Sequence, residues 1–95
     1  MIEIDTININ GKEYETLRVD LEPAPLILVR GKKGFLMCGY LNMEAADKLG
    51  AVAVSTSGVK TVDDILNKPI SKISAKAREL GVKEGMTGRQ ALEYL

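Results

Sequence analysis

Residues Gly34 to Asp64 read GFLMCGYLNMEAADKLGAVAVSTSGVKTVDD, and this stretch decides the fold. It begins with an apolar run, Phe35–Leu41, and contains a second apolar run, Ala51–Ser55, after a short segment of helical character. Short apolar runs without clean alternation are typical of strands that are buried on both faces of a sheet. The stretch therefore predicts two buried strands that are joined by a small helix and followed by a loop of serine, threonine and glycine.

The ends of the small helix follow from single residues. Asn42 is a good N-cap because its side chain can accept a hydrogen bond from a free amide in the first turn. Gly50 is a good C-terminal stop because glycine adopts the left-handed conformation without a steric penalty. The sequence thus predicts a helix over Met43–Leu49, and the small pair Ala45-Ala46 allows it to lie close to the sheet.

Upstream of this stretch, two β-rich runs flank the dipeptide Asn10-Gly11. An Asn-Gly pair favours a type I′ turn because both central residues of that turn need a positive φ angle. We therefore predict a hairpin of Ile2–Ile9 with Glu13–Leu21. A two-residue turn sets the register, which pairs Ile2 with Val19, Ile4 with Leu17, Ile7 with Tyr14 and Ile9 with Lys12.

This register moves the apolar residues of the first strand from one face to the other. Ile2 and Ile4 point to one side and the last two isoleucines to the other, because successive side chains alternate along a strand. A bulge near Asp5 or Thr6 would restore a single apolar face. The alternative is a hairpin tip that buries its second face against another subunit.

A third and a fourth strand follow the hairpin. Pro23 and Pro25 interrupt the ladder, and Leu26–Val29 forms a further apolar run before Phe35–Leu41. The turn Gly31-Lys32-Lys33-Gly34 lies between these two runs. Paired lysines between glycines could bind a phosphate, but the pattern favours a hairpin tip with solvated charges.

The last third of the chain has helical spacing and clear caps. Thr61 caps a helix that ends before Pro69. A second helix is predicted from residues that recur at helical spacing and from the glycine after them, namely Ile70, Ile73, Ala77, Leu80 and Gly81. Thr87 and Gln90 form a capping box for a final helix through Leu95.

Together these elements predict one α+β domain over residues 1–95. Its sheet is mixed and mostly antiparallel, with four to five strands that begin with the N-terminal hairpin, and three to four short helices pack on it. The C-terminal third is predicted to be helical. A chain of 95 residues supports a single core and leaves no room for separate binding and catalytic domains.

Composition and charge exclude several classes of function. Lys and Arg number 13, as do Asp and Glu, so the net charge is zero and no field steers the chain to nucleic acid or to an anionic membrane. No histidine is present, so the commonest general base and the commonest transition-metal ligand are both missing. We therefore predict no cofactor, no metal site, no nucleic-acid partner and no membrane partner.

Cysteine usage and hydropathy predict the compartment. Cys38 is the single cysteine, so no disulfide can form within the chain. No N-terminal apolar signal and no run of about 20 apolar residues is present. A cytoplasmic location is the expectation. The balanced charges also leave little repulsion between copies of the chain, which permits self-association as a homo-oligomer.

The loop from Ser55 to Thr61 is the strongest candidate for a ligand site. Its candidate ligand-binding residues are Ser55, Thr56, Ser57, Gly58, Lys60 and Thr61, together with Gly39. Hydroxyls, a lysine and free amides at a helix N-terminus could hold a carboxylate or a phosphate. The P-loop spacing is absent, and Asp63 and Asp64 would repel an anion deep in the site. The alternative is a plain strand-to-helix connection in which Thr61 only caps the helix.

Cys38 is a weak candidate for a catalytic residue. A reactive thiol needs a lowered pKa, a base and access to solvent, and the sequence shows none of these. The alternative is a small buried side chain beside Gly39, because free cysteines are usually buried. Any catalytic arrangement would combine Cys38 with Tyr40 and Lys60.

Several motifs of the chain invite comparison with a known family. They are Gly34-Phe35-Leu36-Met37-Cys38-Gly39 followed by Leu41-Asn42, then Gly58-Val59-Lys60-Thr61 with Leu66 and Pro69, then Leu80-Gly81-Val82, and Gly85-Met86-Thr87-Gly88 with Ala91-Leu92. On these residues the chain resembles domain-of-unknown-function family 1805, the YunC-like small proteins, from about Leu26 onward. The resemblance implies a compact α+β domain of bacteria and archaea with no established activity, substrate or catalytic residue.

The sequence leaves two classes of function open. The first is a homo-oligomeric domain without enzymatic activity that binds a small anion or assembles, with Cys38, Gly39 and the Ser55–Thr61 loop near a pocket. The second is an enzyme that acts on an anionic small molecule, with Lys60 holding the anion and Cys38 near the site. A scaffold without a ligand also fits the pattern, and no reaction can be read from the residues.

Overall fold

A six-stranded sheet and four short helices form the fold, and the computed structural model describes all 95 residues. The strands are β1 (Ile2–Ile9), β2 (Lys12–Val19), β3 (Leu26–Arg30), β4 (Phe35–Cys38), β5 (Ala53–Thr56) and β6 (Lys72–Ile73). The helices are α1 (Met43–Lys48), α2 (Val62–Asn67), α3 (Ala75–Leu80) and α4 (Gly88–Leu92). The α+β class is confirmed, whereas the predicted number of strands was too low.

The N-terminal hairpin has the predicted turn and the predicted register. Asn10 and Gly11 have φ angles of 52° and 83°, as a type I′ turn requires. The pairs run without interruption from Ile2 opposite Val19 to Ile9 opposite Lys12. The turn chemistry alone was therefore sufficient to align the two strands.

No bulge interrupts the hairpin, so the prediction of one near Asp5 or Thr6 is wrong. Each strand has 8 residues, and every residue of β1 has one partner on β2. A bulge would need an extra residue on one strand. Ile2 and Ile4 consequently stay on one face of the sheet, and Ile9 lies on the other.

The strands lie in the sheet in the same order as in the sequence, from β1 to β6. Only β4 and β5 are parallel, and α1 connects them as a crossover. The other neighbours are antiparallel. The predicted strand Phe35–Leu41 was too long, because the chain turns after Cys38 and the Leu41 amide donates back to the Cys38 carbonyl at 3.3 Å.

The predicted helix from Ile70 to Leu80 starts later than expected, and a strand precedes it. Ser74 is the N-cap of α3, because its side chain accepts a hydrogen bond from the Ala77 amide. The segment Lys72–Ile73 pairs with β5 and forms β6. The apolar residue Ile70 is buried beside the sheet without lying on a helix. The last third of the chain is thus only partly helical.

The other helix ends agree with the predicted caps. Asn42, Thr61 and Thr87 are the N-caps of α1, α2 and α4, and Thr87 forms the predicted capping box. The final helix ends at Leu92 and not at Leu95, although Leu95 is buried. No helix is both long enough and apolar enough to cross a membrane.

The main core lies on one face of the sheet, which we call the covered face. The sheet contributes Ile9, Tyr14, Ile27, Val29, Leu36, Cys38 and Val54, and the helices and loops contribute Val59, Ile65, Leu66, Ile70, Ala77, Val82, Ala91, Leu92 and Leu95. Helices α2 and α4 contact each other, and both contact β4. Burial of this aliphatic surface is the main source of stability in a domain of this size.

The opposite face of the sheet, which we call the open face, is covered only in part. Met37 and Ala53 point to this face, since side chains alternate along β4 and β5, and both are buried. Helix α1 contacts β5 and contributes no residue to the core of the covered face, so it packs over this region of the open face. The open-face side chains of β1, β2 and β3 are exposed or half-buried.

Candidate functional site

The loop between β5 and α2 satisfies many of its polar groups within the protein. The Lys60 amide donates to the Asp64 carboxylate at 3.0 Å, and the Asp64 amide donates to the Thr61 hydroxyl at 3.0 Å. The Gly58 carbonyl accepts a hydrogen bond from the Lys68 ammonium group. The Asp64 carboxylate therefore takes the position that a bound anion would occupy at the Lys60 amide.

The base of this loop is buried. The Ser55 carbonyl accepts hydrogen bonds from the Ser71 amide at 2.7 Å and from the Ser71 hydroxyl at 3.0 Å. Thr56 differs from its neighbours, because its side chain is 0% exposed and its hydroxyl has no hydrogen-bond partner in the protein. Leaving a buried hydroxyl unpaired costs about 1–3 kcal/mol. Among the polar residues of the loop, Thr56 is therefore the one whose polar group contributes least to the stability of the fold.

Thr56→Val should stabilise the fold, because valine has nearly the same shape and lacks the unpaired hydroxyl. We expect the free energy of unfolding to rise by about 1 kcal/mol. Thr56→Ser, the matched control, keeps the hydroxyl and removes a methyl group, so it should lower stability. Urea denaturation of the three proteins measures both effects. Destabilisation by Thr56→Val would show that the hydroxyl has a partner in solution.

Cys38 has a structural explanation at the end of β4. Its side chain is 2% exposed, and its sulfur accepts a hydrogen bond from the Ile27 amide at 3.4 Å. Ile27 is fully buried, and a buried amide without an acceptor would be costly. The thiol thus supplies an acceptor where the ladder between β3 and β4 ends.

Cys38→Ala should destabilise the protein, because the Ile27 amide loses its acceptor and the core loses a sulfur atom. We expect the free energy of unfolding to fall by about 1–3 kcal/mol. Cys38→Val fills the space without supplying an acceptor, so it separates the lost hydrogen bond from the lost packing. Chemical denaturation measures both variants, and wild-type stability in Cys38→Val would contradict a role for the hydrogen bond.

The structure brings some of the predicted site residues together and separates others. Gly39 lies beside Ser57, since a Cβ atom at Gly39 would be 3.8 Å from the Ser57 Cβ. Tyr40 does not bond to Cys38, because its hydroxyl donates to a main-chain carbonyl in the loop before β3 at 2.8 Å. Lys60 is exposed, whereas Cys38 is buried. No group of three or more acidic or cysteine side chains is placed to hold a metal ion.

A second polar region, which the sequence did not indicate as a cleft, lies between the hairpin tip and the end of α4. The cleft has a volume of about 470 Å³. Its charged lining residues are Lys12, Glu13, Lys32, Lys33 and Glu93. The amides of Lys33 and Gly34 both donate to the Leu95 carbonyl oxygen, at 2.5 and 3.1 Å. The predicted lysine turn is present, and its amides hold the main chain at Leu95.

Tyr14 connects this cleft to the core. Its hydroxyl donates to the Leu92 carbonyl at 2.7 Å. Burial of the ring, with a smaller contribution from the negative charge of Glu93, raises the pKa of Tyr14 above its usual value of 10.0. The phenol therefore stays a neutral hydrogen-bond donor well into alkaline pH. No local sequence signal could indicate this contact, because Tyr14 and Leu92 are far apart in the chain.

The open face carries a continuous group of apolar side chains. The register aligns Ile4 with Leu17 and Leu28 in one row, and Ile2 with Val19 and Leu26 in the next. Ile2 and Ile4 are 66% and 73% exposed, and the other four are half-buried, with Leu26 also packed against the core. We call these six residues the apolar patch. It lies at the base of the hairpin, whereas the alternative raised by the sequence was a partner contact at the hairpin tip, where Ile9 and Tyr14 are buried in the core of the same chain.

A family comparison matches the second half of this architecture. The family described as Domain of unknown function (DUF1805) matches residues 37–95, from the end of β4 to Leu95. This chain belongs to that family. Membership confirms the resemblance that the sequence motifs indicated. The matched residues of this family member include α1, β5, the Ser55–Thr61 loop and all later elements.

Two relatives extend the similarity of this family member to nearly the full chain. The uncharacterized protein YunC of Bacillus subtilis strain 168 is 33% identical over 96 residues, which cover 97% of this chain and 95% of the relative. The crystal structure of a protein of unknown function, TA1206 from Thermoplasma acidophilum, is similar with a TM-score of 0.95 and 43% identity. That similarity covers 100% of this chain and 93% of the other. The Thermoplasma protein shares the fold, and neither description names an activity.

Proposed function

We propose that this domain is a homo-oligomeric assembly module whose copies associate through the apolar patch. One observation carries the proposal. The patch is continuous across three strands, and its members Ile2 and Ile4 are mostly exposed although they are large aliphatic residues. Monomeric proteins rarely expose contiguous apolar patches larger than about a few hundred Å², and patches above that size mark interaction sites. A second copy of the chain would remove the patch from water.

The energy available from the patch is of the right size. Burying an exposed isoleucine side chain fully contributes about 1.5–3 kcal/mol. Because Ile2 and Ile4 are 66% and 73% exposed, these residues from two copies would together contribute ~4–8 kcal/mol. Association costs about 4–15 kcal/mol in lost translational and rotational freedom. The half-buried members of the patch therefore need to contribute as well, which requires the two open faces to pack closely.

Polar residues border the patch on the same face. The next row of the sheet contains Thr6, Glu15 and Arg30, and the last two form an exposed ion pair. An apolar centre with a charged rim is the usual arrangement of a protein interface. The net charge of zero leaves little long-range repulsion between two copies. Both features support self-association.

Ile4→Glu should dissociate the assembly. The substitution places a carboxylate without a partner in the interface, and such burial is costly. In the separated chain the same position is 73% exposed, so the fold should tolerate glutamate. We expect the dissociation constant to rise at least about 100-fold, which corresponds to a loss of about 2.8 kcal/mol.

Light scattering coupled to size-exclusion chromatography measures this effect. Leu80→Glu is the matched control, because Leu80 is a partly exposed leucine on α3, outside the patch. The control should keep the mass of the wild-type protein. An unchanged mass in Ile4→Glu would contradict association through the patch.

A small anion held at the ends of β4 and β5 is a second candidate function. The unpaired hydroxyl of Thr56 favours it, and the further binding groups would come from Gly39 and Ser57, which lie beside each other, and from the exposed Lys60. In this proposal the loop binds the anion without catalysing a reaction. Inorganic phosphate should then raise the melting temperature of the wild-type protein, and Lys60→Ala should reduce the shift. Absence of a shift at millimolar phosphate would count against phosphate as the ligand.

A further inference from the structure

The outer edge of β1 is a second surface that no other strand of the chain covers. The Asp20 amide donates to the Met1 carbonyl at 3.0 Å, which makes these two residues a hydrogen-bonded pair. Such pairs alternate along an antiparallel ladder, so the odd-numbered residues of β1 bond to β2. The amides and carbonyls of Ile2, Ile4, Thr6 and Asn8 therefore point away from the sheet.

This edge lacks most of the features that usually prevent pairing between sheets. Natural edge strands are kept short, bent by bulges, or protected by charged side chains, especially lysine, or by proline. β1 has 8 residues, no bulge, no lysine and no proline, and its charged side chains are Glu3 and Asp5. The other edge of the sheet, β6, has only 2 residues and includes Lys72. The exposed Ile2 and Ile4 lie on the β1 edge itself.

We propose that β1 pairs antiparallel with β1 of a second copy, across a twofold axis at Thr6, so that the sheet continues from one subunit into the next. This edge contact is separate from the face contact of the proposed function, and it rests on that function only in taking a second copy as the partner. A twofold axis normal to the sheet brings the same strand edge of both copies together and keeps both open faces on one side.

The acidic residues of β1 select the register. With the axis at Thr6, Asp5 is opposite the partner's Ile7 and Glu3 is opposite the partner's Ile9, so no two carboxylates meet. An axis one residue earlier would place Asp5 opposite the partner's Asp5. An axis two residues earlier would place Glu3 opposite the partner's Asp5. Like charges directly opposite each other destabilise a strand pair.

Asp5 competes with the partner for the amide at the axis. The Thr6 amide donates to the Asp5 carboxylate at 2.8 Å in an exposed hydrogen bond. Pairing exchanges this local bond for one to the partner's Thr6 carbonyl. Removing the Asp5 side chain should therefore favour pairing, whereas removing the Thr6 amide should oppose it.

Substitutions at the axis test the edge contact by sedimentation velocity. Thr6→Pro removes the outward amide together with its hydrogen bond to Asp5, which an edge strand tolerates, and Thr6→Val keeps that amide and the branched side chain. We expect the dissociation constant to rise about tenfold in Thr6→Pro and to stay near wild type in Thr6→Val. Asp5→Ala should lower it about threefold. An unchanged constant in Thr6→Pro would overturn the edge contact.

Amide hydrogen exchange separates the edge contact from the face contact. In the wild-type oligomer, exchange at Ile4, Thr6 and Asn8 should be at least about tenfold slower than after dilution to the monomer. Fast exchange at these amides in a stable oligomer would overturn the edge contact and leave the face contact standing. A wild-type protein that stays monomeric at all concentrations would overturn both.

Discussion

Gly88→Ala should strongly destabilise the protein, because position 88 has no room for a methyl group. A Cβ atom there would lie 1.9 Å from the Ile65 carbonyl oxygen and 2.9 Å from a Leu36 methyl group. The carbonyl belongs to α2. The Gly88 amide also donates to the Lys68 carbonyl at 3.1 Å, so α4 cannot easily move away from α2 to make room. We expect the free energy of unfolding to fall by about 3 kcal/mol or more. A domain of this size has about 5–15 kcal/mol in total.

Gly39→Ala is the matched control for this prediction. A Cβ atom at Gly39 meets only the Ser57 Cβ, at 3.8 Å, and the backbone there is not in the left-handed region. Alanine should therefore give no change or a gain of up to about 1 kcal/mol, because it restricts the unfolded chain. Thermal unfolding followed by circular dichroism measures both variants. Wild-type stability in Gly88→Ala would contradict the close contact of α2 and α4.

Leu36→Ala should lower the free energy of unfolding by about 2–5 kcal/mol. Leu36 is 0% exposed and points to the covered face of β4. Its cross-strand neighbours are Val29 on β3 and Val54 on β5, and both are also fully buried. Because both neighbouring strands are held by the sheet, the cavity left by the substitution cannot collapse completely.

Leu49→Ala is the control for the loss of a leucine. Leu49 lies at the end of α1 and is 86% exposed, so its truncation should change stability by less than about 0.5 kcal/mol. Urea denaturation at one protein concentration compares the two variants with wild type. Equal losses for Leu36→Ala and Leu49→Ala would contradict the position of the core on the covered face.

Local signals predicted much of the fold because each acts within a few residues. Asn10-Gly11 needs positive φ angles, and a two-residue turn then leaves one register for the hairpin. The caps Asn42, Thr61 and Thr87 satisfy free amides of their own helices. β6 was missed because Lys72–Ile73 becomes a strand only by pairing with β5, and no local pattern marks that contact.

The site was harder to predict because its contacts join distant segments. The loop residues and Cys38 were proposed as candidates from their chemistry, yet the hydrogen bond from the Ile27 amide to Cys38 depends on the end of the β3–β4 ladder. The unpaired hydroxyl of Thr56 depends on everything that packs around it. The sequence did indicate that Asp64 would repel an anion from the loop. In the structure its carboxylate accepts a hydrogen bond from the Lys60 amide, where such an anion would bind.

The side-switching pattern of β1 is the observation that links the sequence to the proposed function. Two explanations were open, a bulge and a partner subunit. The uninterrupted register excludes the bulge, so Ile2 and Ile4 remain exposed on the open face. We propose self-association as the explanation for an aliphatic surface that the single chain leaves in contact with water.

Sedimentation equilibrium of the wild-type protein tests self-association most directly. The chain has a mass of 10.3 kDa, and the measurement covers protein concentrations from micromolar to millimolar. The account predicts a mass that is a whole-number multiple of 10.3 kDa at high concentration and that falls on dilution. A constant mass of 10.3 kDa over the whole range would contradict it.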